Sequence, residues 1–143
     1  MNVNYLKAII AGIVGTAVMT AVGVYLAPMM GIARMNPADM LAGQMGGNMT
    51  MGWAGHFMIG IAFAVGYAFM VHRLPGAPWM RGALFGIVPW LLAQVAVMPM
   101  MGMGLFSGSM AMAGGSLIGH LMYGAAVGVV YGTPAPASRG ANA

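Results

Sequence analysis

Apolar residues gather into four long stretches along the chain, and short segments rich in glycine, proline and polar residues separate them. A membrane-spanning helix needs about 20 predominantly apolar residues, because it rises about 1.5 Å per residue through the hydrocarbon core. Each stretch is close to this length. We therefore predict four membrane-spanning helices, at about residues 5–28, 51–71, 82–101 and 113–131.

Composition supports a membrane protein and excludes several classes of function. The chain is 61% hydrophobic and 4% charged, whereas a soluble domain carries roughly 25% charged residues. Five Lys and Arg residues and one acidic residue cannot wet the surface of a 143-residue globule. Cysteine is absent, which excludes disulfides, thiolate catalysis and cysteine-based metal sites. The sequence has no run of basic residues to meet the phosphates of nucleic acid.

The basic residues indicate how the helices are oriented. If all four stretches span, the same side of the membrane carries Lys7, His72, Arg73, Arg81 and Arg139. Arg34 lies on the other side. The positive-inside rule then places both termini in the cytoplasm of a bacterium, with loops 31–50 and 102–112 facing the periplasm. The first stretch is too long for a signal-peptide core and no A-x-A site follows it, so we expect a retained helix of an inner-membrane protein.

The segments outside the stretches predict one short helix and one disordered tail. In "NPADML", Asn36 can cap a helix, Pro37 suits its first position and Asp39 favours its N-terminal dipole. We expect this helix to lie at the periplasmic interface. The tail at 133–143 is rich in proline and alanine and is predicted to be disordered. Residues 1–132 then form a single domain.

Internal similarity divides the chain into two related units. The segment "KAIIAGIV" near the start of the first stretch matches "RGALFGIV" in the third, and "PMMG" follows in both. Likewise "GHFMIGIAFAV" in the second stretch matches "GHLMYGAAVGV" in the fourth. Two repeats of two helices each, at about 5–71 and 80–131, insert with the same orientation. The predicted fold is an all-α integral membrane four-helix bundle built from two tandem, parallel two-helix repeats.

Five segments carry a resemblance to a known family. They are "AGIVGTAVMT", "GWAGHFMIG", "GALFGIVPWLL", "VMPMMGMGLF" and the final "GHLMYGAAVGVVYG". Through them the chain resembles, over about residues 8–132, a family of small four-helix bacterial inner-membrane proteins that is known only as a domain of unknown function. The resemblance implies four helices and a bacterial membrane location. It supplies no activity and no functional residue.

Small residues recur on the predicted helices and indicate close helix packing. In lipid, helices associate where glycine lets their backbones approach. We expect packing contacts at Gly12, Gly15, Gly55, Gly60, Gly119, Gly124 and Gly128. These glycines could instead form a groove for a cofactor or a partner helix. We favour internal packing, because small residues are enriched at nearly every interface of this type.

Two histidines, His56 and His120, occupy matching positions near the periplasmic ends of their stretches. An ionisable residue within a span is a functional candidate by default, and imidazole ligates copper, zinc or haem iron. Alternatively, each neutral ring hydrogen-bonds across helices to a carbonyl or a threonine. We favour the hydrogen bond, because no carboxylate is available to orient a ligating imidazole. Gln94 is the other buried polar candidate.

Methionine is concentrated around the two periplasmic loops, and the chain has 19 in all. Thioethers are soft ligands that select Cu(I), so one hypothesis is a periplasm-facing copper site. Its candidate ligands are His56, His120, Met98, Met100, Met101, Met103, Met110 and Met112. The alternative is that methionine fills irregular loops or contacts a partner, because its side chain is flexible and apolar. From the sequence alone we favour this alternative.

Enzymatic chemistry lacks the groups it needs. Asp39 is the one acidic side chain, so paired-carboxylate chemistry, a Ser/His/Asp triad and acid-based proton relays are unsupported. We therefore predict a non-enzymatic protein, most simply an accessory, assembly or interaction subunit that contacts the bilayer and other subunits or itself. The alternative is binding of Cu(I), or of haem, through the Met-rich loops and the two histidines. A conduit for a neutral small molecule is a third option.

Overall fold

Four long helices carry the apolar stretches of the sequence. Within residues 3–133, the part of the chain that the computed structural model describes, they are α1 (Tyr5–Met29), α3 (Met49–Arg73), α4 (Pro78–Met100) and α5 (Met110–Tyr131). A short helix, α2 (Pro37–Gln44), lies between α1 and α3, and these residues contain no strand. The predicted all-α chain is confirmed for the described residues, and its four long helices are long and apolar enough to cross a membrane, which suggests a multi-pass membrane protein. The predicted disordered tail lies outside the described residues, except for Thr133.

Capping residues determine where the helices begin. The side chains of Asn4, Asn48 and Ser109 accept hydrogen bonds from backbone N–H groups in the first turns of α1, α3 and α5. Helix α4 begins with Pro78, whose fixed φ suits the first helical position. For this reason α3, α4 and α5 start a few residues before the apolar stretches. Asn36 caps α2, which confirms the predicted short helix.

Helices α1 and α4 each contain a π-helical turn shortly before a proline. The turns are Val22–Leu26 in α1 and Ala93–Val97 in α4, and Pro28 and Pro99 follow them. Proline has no N–H to bond the carbonyl four residues earlier, and its ring clashes with that carbonyl. A wider π turn accommodates the clash, and such turns kink a helix. Both turns lie near the C-terminal ends of their helices, in the same half of the bundle.

The helices alternate in direction, which gives the bundle two different ends. At the terminal end, the N–H of Asn4 donates a hydrogen bond of 3.3 Å to the hydroxyl of Tyr131. The opposite end, called the loop end, carries α2 and the segment 101–109. Helix α1 packs against α3 and α5, and α5 packs against α4. By contrast, α3 and α4 make few contacts; one is the edge-to-face pair of Tyr67 and Phe85, with ring centroids 5.5 Å apart.

Glycines of α1 and α3 allow close contacts around α1. A Cβ added at Gly12 would lie 2.6 Å from the Cα of Ile61 in α3. A Cβ at Gly60 would collide with the hydroxyl of Thr16, and one at Gly15 would press into side chains of α5. Because these separations are shorter than a real Cβ tolerates, the three positions need glycine for the helices to pack as they do.

Two further predicted glycines lie between α4 and α5. A Cβ at Gly124 would collide with the carbonyl oxygen of Gly82, and Gly128 packs as closely against the first turn of α4. Gly55 and Gly119 differ, because their nearest neighbours would lie 3.7 and 3.6 Å from an added Cβ. That is an ordinary contact distance, so these two positions do not mark close backbone contacts.

Candidate functional site

A cavity of about 180 Å³ lies in the loop-end half of the bundle. All four long helices contribute to its wall, together with residues of α2 and of the segment 101–107. Its size is close to the roughly 150 Å³ of an engineered apolar cavity that admits benzene. The cavity therefore has room for a metal ion or one small molecule, but not for a haem macrocycle.

Methionines from four separate parts of the chain line this cavity. The seven are Met19, Met35, Met40, Met98, Met101, Met103 and Met112. The structure thus brings four of the six predicted ligand methionines together. The other two, Met100 and Met110, are 85% and 77% exposed and are not part of the wall. Met98 and Met101 share one side of the chain at a spacing of three, whereas Met100 falls on the other side, so the cavity does not include Met100 or Met110.

Three cavity methionines are not among the predicted ligands, although Met35 and Met40 belong to the Met-rich loop 31–50. Thr16, Met19 and Gly23 line the cavity at helical spacing along α1, so periodicity could have indicated Met19. Met35 reaches the cavity because its N–H donates to the carbonyl of Gly23 at 3.0 Å, which folds the segment before α2 back over α1. Met40 arrives with α2 itself. The placement of Met35 and Met40 at the cavity depends on tertiary contacts, which no local sequence pattern indicates.

His56 makes the predicted hydrogen bond across helices. Its Nε2 lies 3.0 Å from the hydroxyl oxygen of Thr20 in α1, and that hydroxyl donates to the carbonyl of Thr16 at 2.8 Å. Since the hydroxyl proton is used there, the oxygen of Thr20 accepts a hydrogen bond from a protonated Nε2. In the neutral ring the lone pair is then on Nδ1. His56 is 6% exposed and lines the cavity.

His120 is held within its own helix. Its Nδ1 lies 2.8 Å from the carbonyl oxygen of Ser116, and a carbonyl only accepts, so Nδ1 carries the proton and Nε2 the lone pair. Ligating histidines donate their second N–H to a carboxylate, a backbone carbonyl or water. The sequence offers no carboxylate to orient the ring of His120. The backbone carbonyl of Ser116 orients it instead. His120 also lines the cavity, so each of the two neutral rings retains one nitrogen that can bind a metal.

Gln94 connects three segments at the cavity wall. It is 1% exposed, its Nε2 donates to the hydroxyl of Ser116 at 3.3 Å, and its Oε1 accepts from the hydroxyl of Ser107 at 2.9 Å. Phe106 and Ser107 have φ values of 51° and 59°, a left-handed conformation that non-glycine residues rarely adopt. Strain of this kind persists where the surrounding structure holds it, commonly at functional sites. Here the strained turn places Ser107 at the cavity.

The most exposed residues of the cavity wall lie on α3 and α4. Ile59 in α3 and Leu92 in α4 both line the cavity, and they are 47% and 52% exposed. These two helices are the pair that makes few contacts. Both side chains lie within helices that are long and apolar enough to cross a membrane.

The chemistry of the wall favours soft ligands over hard ones. Within residues 3–133, no group of three or more His, Cys, Asp or Glu side chains is placed to hold a metal ion. A metal in this cavity would be bound by thioether sulfur and imidazole nitrogen. Calcium and magnesium require oxygen ligands, whereas thioethers suit Cu(I).

Comparison with known proteins agrees with the resemblance seen in the sequence. The family model described as "Family of unknown function (DUF6789)" matches residues 2–141. The predicted membership of a family known only as a domain of unknown function is thereby confirmed. No curated protein and no solved structure matches the chain.

Proposed function

Because the chain belongs to the family of unknown function DUF6789, which supplies no activity, we propose from the geometry that it is a membrane protein that binds Cu(I) in the loop-end cavity. One observation supports the proposal: seven methionines and two histidines from separate parts of the chain line the same cavity. Thioether and imidazole are ligands that Cu(I) accepts. The proposal takes up the second of the two functions that the sequence suggests.

A monovalent ion suits this set of ligands. Thioethers and neutral imidazoles are uncharged, and the one acidic side chain, Asp39, accepts a hydrogen bond of 2.8 Å from Asn36 and is not part of the wall. An ion that leaves water for a low-dielectric site is less costly to transfer when its charge is smaller. We therefore propose Cu(I) rather than a divalent ion. We propose a non-enzymatic role, since the cavity wall carries no carboxylate.

We propose that the protein lies in the bacterial inner membrane with its loop end in the periplasm. Lys7, Arg73 and Arg81 lie at the terminal end and Arg34 lies at the loop end. This bias supports cytoplasmic termini under the positive-inside rule. Copper that arrives from the periplasm would then meet the Met-rich loop end first.

We also propose that the two helical hairpins arose by tandem duplication. The π turns of α1 and α4 support this origin, because each is followed by the same "PMMG" sequence. His56 and His120, which match in sequence, line one cavity. A twofold relation is not kept throughout, since α1 packs against α5 while α3 and α4 make few contacts. Because α3 and α4 make few contacts, the most exposed residues of the cavity wall lie on that side.

X-ray absorption at the copper edge tests the binding proposal. Purified protein loaded with one equivalent of Cu(I) is expected to show a first shell of sulfur together with imidazole nitrogen. His120→Gln should reduce the imidazole contribution, whereas His72→Gln should leave it intact, because His72 is exposed at the terminal end. A first shell without sulfur, or copper that is washed from the wild-type protein, would contradict the proposal.

The gap between α3 and α4 favours a second candidate, an accessory or assembly subunit. Ile59 and Leu92 line the gap and remain about half exposed. Membrane helices associate through close packing, so a helix of another subunit, or of a second copy, could cover these residues. The partner would then lie directly beside the cavity.

Site-specific cross-linking tests this second candidate. The chain has no cysteine, so Ile59→Cys and Leu92→Cys provide unique thiols for a photo-crosslinker at the gap. Ile10→Cys is the control, because Ile10 is 45% exposed on α1. A reproducible cross-linked species from the gap positions, but not from the control, is expected in native membranes. Uncross-linked monomer at all three positions would argue against a subunit role.

A further inference from the structure

At the terminal end, Arg81 has a buried guanidinium nitrogen without a hydrogen-bond partner among residues 3–133. Arg81 lies in the first turn of α4 and is half-buried, and the nitrogen is its Nε. The one acidic residue of the chain, Asp39, belongs to α2 at the loop end. A guanidinium that is partly removed from water is normally paired with a carboxylate or a phosphate. Within the described part of the chain, the buried Nε of Arg81 therefore lacks an acceptor.

Tyr67 adds a second unpartnered donor beside Arg81. The residue is fully buried, and its hydroxyl has no hydrogen-bond partner in the described part of the chain. Its ring contacts Phe85, which lies one helical turn from Arg81 on α4. A buried hydroxyl without a partner costs free energy that a ligand can recover.

Tyr131, which lies next to Tyr67, and Lys7, which lies next to Tyr131, provide further hydrogen-bond donors. The ring of Tyr131 lies 5.9 Å from that of Tyr67, edge to face. The hydroxyl of Tyr131 already accepts from the N–H of Asn4, so its own O–H remains to be donated. Lys7 Nζ donates one hydrogen bond of 3.3 Å to the carbonyl of Tyr131, which leaves two of its three N–H groups. Neither side chain meets an anionic group among residues 3–133.

We propose that Arg81, Tyr67, Tyr131 and Lys7 bind a phosphate oxyanion at the terminal end of the bundle. The four side chains offer donors and two positive charges, and residues 3–133 supply no anionic acceptor there. Arginine forms two parallel hydrogen bonds to phosphate oxygens, and lysine adds a point charge. Arg81 lies in the first turn of a spanning helix, which is the depth of lipid headgroups. The phosphate is that of an anionic lipid or free inorganic phosphate, and both present the same oxygens.

Native mass spectrometry of the full chain in detergent tests the site. Wild-type protein is expected to retain phosphatidylglycerol and to bind diacylglycerol with the same acyl chains at least about tenfold more weakly, because only the former has the phosphate. Arg81→Gln should weaken phosphatidylglycerol binding about tenfold, the effect of one charge-assisted donor. Arg73→Gln removes an exposed cation at the same end and serves as the matched control.

Tyr67→Phe provides a second, independent test in case Arg81→Gln folds poorly. In lipid-free detergent this variant should melt at a higher temperature than wild type, because an unsatisfied buried hydroxyl is removed. Its stabilisation by phosphatidylglycerol should be smaller than that of wild type. A lower melting temperature without lipid would mean that the hydroxyl is already satisfied, and would contradict the proposal.

Competition with inorganic phosphate distinguishes an anionic lipid headgroup from the free anion as the ligand. If millimolar phosphate displaces phosphatidylglycerol from wild type, and Arg81→Gln abolishes that effect, the ligand is the free anion. If phosphate does not compete, the ligand is the lipid headgroup, and both results support an oxyanion site. Equal retention of phosphatidylglycerol by wild type and Arg81→Gln, or equal losses in Arg81→Gln and Arg73→Gln, would overturn it.

Discussion

Gly124→Ala is expected to lower the free energy of unfolding by about 3 kcal/mol, the upper end of the range for overpacked sites. A Cβ at Gly124 would collide with the carbonyl oxygen of Gly82, which is backbone and cannot move aside by changing rotamer. Helices α4 and α5 must therefore separate, which weakens contacts such as the 3.0 Å hydrogen bond from Trp90 Nε1 to the carbonyl of Ala113. Thermal unfolding in detergent, followed by tryptophan fluorescence, measures the loss.

Gly114→Ala is the matched control for this prediction. Gly114 lies in the same helix, and a Cβ added there would have no neighbour within 4 Å. Alanine is a better helix former than glycine by about 1 kcal/mol, so this variant should be at least as stable as wild type. Equal unfolding temperatures for the two variants would mean that α4 and α5 do not pack through Gly82 and Gly124.

Hydropathy alone predicted the four spans, because about 20 apolar residues in succession have few alternatives to a membrane helix. It did not predict the order of the helices around the bundle, since all four stretches are about equally apolar. Close packing was partly visible in the glycines. Gly12, Gly60 and Gly124 make close contacts, but Gly82 and Gly86 were missed although "GALFG" places them four residues apart, the spacing of a helix-packing pair.

The candidate site was predictable only where its residues lie in spans or in Met-rich loops. His56 was expected to hydrogen-bond across helices, and it does so with Thr20. The bond of His120 runs instead to Ser116 in its own helix, a choice that depends on ring orientation rather than on sequence spacing. The cavity itself depends on the gap between α3 and α4. That gap is a tertiary feature, and no residue pattern in either helix marks it.

Replacing the four predicted cavity methionines Met98, Met101, Met103 and Met112 by leucine is expected to weaken Cu(I) binding severely, although three methionines and two histidines remain in the wall. Leucine is similar to methionine in volume and polarity, so the cavity wall should keep its packing while it loses four sulfur atoms. Loss of a single outer partner of a metal ligand lowers affinity about 10–100-fold. Loss of several ligands should therefore lower the affinity more than about 100-fold. Circular dichroism should show unchanged helix content.

A second fourfold variant controls for the number of methionines removed. Met29, Met58, Met100 and Met110 are 84%, 70%, 85% and 77% exposed, and none lines the cavity. Their replacement by leucine removes as many thioethers from the chain without touching the site. This variant should bind Cu(I) as the wild type does, because affinity depends on the position of the sulfur atoms and not on their total.

Competition against a Cu(I) chelator, with the wild type and the two fourfold variants titrated side by side in detergent, tests the cavity as the copper site. The wild type and the exposed-methionine variant should each hold a single Cu(I) with the same affinity, and the cavity variant should leave the metal with the chelator. Equal affinity in all three proteins, or equal loss in both variants, would show that copper does not bind in the cavity between the four helices.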